Sequence, residues 1–74
     1  MMDRVEIEKV LKEAVISCAN DEGWANLAEI GTYLRQRGIR YGKLSRFMQD
    51  YTNVVETQID TSITPPAVYA RLIR

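Results

Sequence analysis

The sequence predicts an α+β fold, mainly α, in which three helices and a short first strand precede a C-terminal two-stranded hairpin. Three observations carry that expectation. Apolar residues recur at helical spacing as far as Tyr51. Beyond Asn53 the period switches to two. The helical segments are separated by breaker clusters at residues 20–23 and 39–42.

Ile7, Val10, Leu11, Ala14, Val15 and Cys18 follow one face of a first helix, with Asp3, Glu6 and Glu8 near the positive end of its dipole. Cys18 on that stripe reads as a small buried hydrophobe. After the breaker, Trp24 and Ala25 form a short extended stretch, with Trp24 expected to anchor the core. Asn26 followed by Glu29 has the form of an N-cap or capping box, so a second helix should start at Leu27. It should stop near Arg37, because Gly38 supplies a left-handed residue and Ile39 the hydrophobic contact of a Schellman motif. Leu27, Ile30, Gly31 and Leu34 give its buried stripe. Leu44, Phe47, Met48 and Tyr51 define a third helix over roughly residues 42–50, with Lys43, Arg46 and Gln49 on the opposite face. Val55, Thr57 and Ile59 alternate with Val54, Glu56 and Gln58, and Val68, Ala70 and Leu72 with Tyr69, Arg71 and Ile73, which marks two strands. Residues 60–66 between them hold two prolines, which cannot continue a ladder. This order is that of a winged helix-turn-helix, the 60–66 loop being the wing and the third helix the element expected to face nucleic acid.

At 74 residues the chain is expected to form one domain, residues 1–74, with little room for an enclosed active site. A chain this short hides only about 60% of its unfolded surface. Cys18 is the sole cysteine and histidine is absent, which excludes an internal disulfide, a Cys/His zinc site and any imidazole-based triad. No metal or cofactor is called for. Glu6, Glu8, Glu13 and Glu22 read as solvated acids rather than catalytic ones, and no enzyme activity is expected. The N-terminal residues alternate charge with apolar groups and fit neither a signal peptide nor a membrane span, so a cytoplasmic location without membrane attachment is expected.

Formal net charge is zero, but it is unevenly spread. Residues 1–30 carry three bases and seven acids, whereas residues 31–50 carry five bases and one acid. Arg35, Arg37, Arg40, Lys43 and Arg46 follow one another with no acid between them. They are expected to form a phosphate-contacting face, the competing reading being a solvated helix surface paired with the acidic first helix. Tyr41 among them is placed either to stack on an exposed base or to close the core under the turn. Thr61, Ser62 and Thr64 in the wing, and Tyr69 and Arg71 on the last strand, are weaker candidates for the same surface.

Trp24, the helix pattern Leu27, Ile30, Gly31, Leu34, the element Tyr41, Gly42, Leu44, Ser45, Phe47 and the closing Val68, Tyr69, Arg71, Leu72 together resemble the OST-HTH/LOTUS domain. Two departures from the family pattern are a shorter connection between the second and third helices and a more apolar, proline-rich wing. The resemblance implies a minimal winged helix that binds RNA, with a preference for G-rich and G-quadruplex RNA; the residues expected to make the contact are those of the basic segment, Arg35, Arg37, Arg40, Tyr41, Lys43 and Arg46. It also implies an accessory role in a longer RNA-processing or regulatory protein, in bacteria often one with a NYN-type nuclease domain. Two other readings stay open: a protein-interaction module, and a winged-helix DNA reader acting as a dimer. Oligomeric state is not fixed by the sequence.

Overall fold

The computed structural model describes residues 3–73. The elements run α1 (Arg4–Cys18), β1 (Ala25–Asn26), α2 (Leu27–Gln36), α3 (Leu44–Gln49), β2 (Val55–Asp60) and β3 (Ala67–Leu72). The α+β architecture is the expected one. The strands form one antiparallel sheet in the order β1-β3-β2, so the last strand is the central one.

Each helix boundary has a local cause. Asp3 caps α1 by accepting the Glu6 amide at 2.9 Å, which starts the helix three residues ahead of its first inward apolar residue, Ile7. Asn26 caps α2 by accepting the Ala28 amide at 2.8 Å. The reciprocal bond from Glu29 that would complete a capping box is not made among the described residues. At the far end the Schellman motif is complete. Gly38 takes φ 82°, its amide donates to the Arg35 carbonyl at 3.0 Å, and the Ile39 amide reaches the Leu34 carbonyl at 3.0 Å. Ile39 is thereby driven into the core.

Helix α3 is shorter than its apolar spacing suggests. Lys43 is extended, with φ −101° and ψ 132°, and makes no side-chain cap, so the helix starts at Leu44 rather than at Gly42. Lys43 therefore stands on the turn before α3 and not on the helix face with Arg46 and Gln49. The wing is one residue shorter than expected, because β2 continues through Asp60, which pairs with Ala67.

The core lies between α1, α2 and the inner face of the sheet. Leu11, Val15, Ile30, Leu34 and Val55 are its largest fully buried side chains. Complete burial of each such side chain contributes about 1.5–3 kcal/mol. Met48 and Tyr51 close it from the α3 side. Trp24 does not anchor this core. Ala25 pairs with Ala70, and both point inward with no exposed surface, so the residue before Ala25 falls on the opposite face of the sheet. There Trp24 is half-buried, with the Arg71 guanidinium 4.4 Å above its ring centroid. Arg71 is in turn hydrogen-bonded to Glu56, its partner in the β2–β3 register.

Candidate nucleic-acid interface

The Schellman turn projects Arg40, Tyr41 and Gly42 from the end of α2. Tyr41 is half-buried beneath this turn, its ring 5.6 Å from that of Phe47, which lies 5.0 Å from Tyr51. The Tyr41 hydroxyl reaches back across α2 to Gly31, where an added Cβ would sit only 2.5 Å from the phenolic oxygen. A glycine in mid-helix is unfavourable by about 1 kcal/mol relative to alanine, and here it provides the clearance for that hydroxyl.

Tyr41 Oη accepts a hydrogen bond from Arg35 Nη1 at 3.0 Å, and Thr32 Oγ1 accepts from Arg35 Nη2 at 3.5 Å. Two hydroxyls thus orient the Arg35 guanidinium at the mouth of an open recess of about 560 Å³. Arg35, Arg40, Tyr41, Gly38 and Gly42 line it. Of its two glycines only Gly38 has a positive φ. An added Cβ on Gly42 would meet nothing within 4 Å, so the backbone is open to solvent there.

Arg40, Lys43 and Arg46 are exposed, and among the described residues no ion pair engages them or Arg35. Arg37 is different. Its Nη1 lies 3.6 Å from Glu13 Oε2 of α1, its Nη2 donates to Tyr33 Oη at 2.8 Å, and its guanidinium covers the Tyr33 ring at 4.9 Å. Arg37 therefore leans toward the acidic helix, whereas Arg35, Arg40, Lys43 and Arg46 lie on or next to the α2–α3 turn. The sequence pattern places Gly31 in the buried stripe of α2 and gives Thr32 no role. Only the tertiary position of Tyr41 shows how both serve Arg35.

Cys18 is half-buried at the end of α1. Burial, and after it the Glu29 carboxylate, push its thiol above the ordinary range. No helix among the described residues is long and apolar enough to cross a membrane.

The model of the OST-HTH/LOTUS domain matches residues 4–64. The chain belongs to this family. OST-HTH/LOTUS domains are non-catalytic RNA-binding modules, and their winged-helix fold is the one described above. This LOTUS domain is also similar to an uncharacterised protein of Nitrosomonas europaea whose structure was determined by NMR in solution. The two share 29% identity with a TM-score of 0.72, over 90% of this chain and 72% of that one. No curated protein matches the chain.

Proposed function

We propose that residues 1–74 act as one LOTUS unit that binds RNA through the end of α2, the α2–α3 turn and α3. The observation that carries this reading is the placement of Arg35, Arg40, Lys43 and Arg46 on or beside one turn, none of them engaged by a carboxylate of the described residues. Arg40, Lys43 and Arg46 supply phosphate contacts from exposed side chains, and Arg35 supplies one from a guanidinium oriented by Tyr41 and Thr32. Arg37 sits at the border and contributes less, because binding RNA would have to compete with Glu13. G-rich RNA, including G-quadruplexes, is the preferred target in this reading, and an accessory role in a longer, cytoplasmic RNA-processing protein is its setting.

Four or five phosphate contacts make for modest, salt-dependent affinity, with log K falling by about 0.7 per contact for each decade of salt on a single strand. The test is an NMR titration with a G-quadruplex RNA, a scrambled single strand and a duplex DNA at two salt concentrations. Amide shifts should concentrate at Arg35, Arg40, Lys43 and Arg46 and be largest with the quadruplex. Arg40→Ala and Arg46→Ala should each lower the salt slope by about 0.7, and Arg37→Ala by less. Absence of salt-dependent shifts with all three ligands refutes nucleic-acid binding by this face, and a preference for the duplex redirects it to DNA.

A further inference from the structure

A second recess, of about 420 Å³, opens between the turn that carries Glu22 and the base of the wing. Its walls are Trp24, Tyr69, Asn20, Gln58 and the carboxylates Glu22 and Asp60, and no lining residue carries a base. The backbone of the Glu22 turn and the Asp60 carboxylate are each held from within the chain. Asn20 Oδ1 accepts the amides of Glu22 and Trp24 at 2.9 and 3.0 Å, while the Asn20 amide donates to the Trp24 carbonyl at 2.8 Å. Across the recess, Asp60 Oδ1 accepts the Ser62 amide at 3.0 Å and the Ser62 hydroxyl at 2.5 Å. The hydroxyl and then the amide hold the Asp60 carboxyl below its ordinary range, so it stays charged at neutral pH.

The two rings lie on the outer face of the sheet because of its register. Tyr69 pairs with Asn26 on one side and Gln58 on the other, and Trp24 precedes the inward-facing Ala25. Trp24 already stacks with a guanidinium, that of Arg71, whose charge is matched by Glu56. The recess therefore joins two aromatic rings, one of which already stacks on a guanidinium, to two carboxylates with no base among its lining residues. An RNA phosphate would be repelled by such a site, and a compact ammonium would leave the flat ring surfaces unused.

We infer that the recess between Trp24, Tyr69, Glu22 and Asp60 is a binding site for an arginine side chain presented by a partner protein. The rings take the planar face of the guanidinium, and the two carboxylates accept its N–H donors. This site is independent of the basic face, so the domain could engage RNA and an arginine-bearing polypeptide at once.

Trp24 is the only tryptophan in the chain, which makes its fluorescence a local reporter. The experiment titrates the 74-residue protein with an acetylated arginine–glycine pentapeptide, following Trp24 emission and backbone amide shifts, beside lysine–glycine and glutamate–glycine pentapeptides. The arginine peptide should give a saturable change centred on Glu22, Trp24, Gln58, Asp60 and Tyr69, and the glutamate peptide none. Tyr69→Ala should weaken binding about fivefold, as expected for one partly exposed cation–π contact. Glu22→Gln and Asp60→Asn keep the side-chain oxygen acceptors and the fold, and each should weaken it by a similar factor. The inference is overturned by a response that does not saturate, by binding unchanged in both amide variants, or by equal binding of the lysine peptide with shifts spread along the acidic α1. RNA shifting these same amides in place of the peptide overturns it as well.

Discussion

Gly31→Ala tests the link between a mid-helix glycine and the basic face. The new Cβ would stand 2.5 Å from Tyr41 Oη and 3.0 Å from Leu44 Cδ2, so the phenol must retreat by roughly 1 Å to reach ordinary van der Waals separation. Tyr41 is packed against Phe47 and cannot swing away without disturbing that contact. Overpacking of this kind costs about 1–3 kcal/mol, and alanine returns about 1 kcal/mol in helix propensity. Loss of the Arg35–Tyr41 hydrogen bond adds about 0.5–1 kcal/mol. The net expectation is a destabilisation of about 1–2 kcal/mol, a fall in Tm of about 4–8 °C for each kcal/mol in a domain of this size. The sign comes from the phenolic oxygen, so Gly31→Ala combined with Tyr41→Phe should regain at least about 1 kcal/mol over Gly31→Ala alone. Thermal and urea unfolding followed by circular dichroism compare both variants with the parent. A Gly31→Ala protein at least as stable as the parent, or one that Tyr41→Phe fails to rescue, refutes the clearance argument.

Leu11 is fully buried in α1, and Leu11→Ala should cost about 2–5 kcal/mol, a large share of the roughly 5 kcal/mol such a domain holds. Circular dichroism should show a Tm lower by more than about 10 °C or a chain unfolded at 37 °C. Because its pKa is raised, the Cys18 thiol is deprotonated less than an ordinary thiol at any given pH. Its alkylation by iodoacetamide at pH 7.5, followed by mass spectrometry, should be slower than that of glutathione and should accelerate further into the alkaline range.

The parts of the fold written in contiguous residues were legible in the sequence. Gly38 and Ile39 specify the end of α2 because a Schellman motif needs only a left-handed residue and an apolar one after it, both local requirements. Asn26 likewise announces the start of α2. Trp24 was misplaced because residue type alone favours burial of so large a ring. Its face is decided by the pairing of Ala25 with Ala70, forty-five positions away in sequence. The basic cluster was visible as composition, but its division was not. Arg37 turns to Glu13 because α2 packs on α1, and Arg35 is oriented by a tyrosine six residues on that folds back over Gly31. The recess beside the wing was equally hidden, since its walls come from the turn after α1 and from both strands of the hairpin.

The central strand, Ala67–Leu72, lies wholly beyond residue 64, where the family match ends. It nevertheless supplies the partner for both β1 and β2 and the fully buried Ala70. Anyone cutting this domain out of a longer polypeptide, or grafting it onto another, at the edge of the recognised motif would leave two strands with open edges and the sheet without its middle. The working unit extends at least to Leu72, and an insoluble fragment ending near residue 64 would report the position of the cut and not a weakness of the fold.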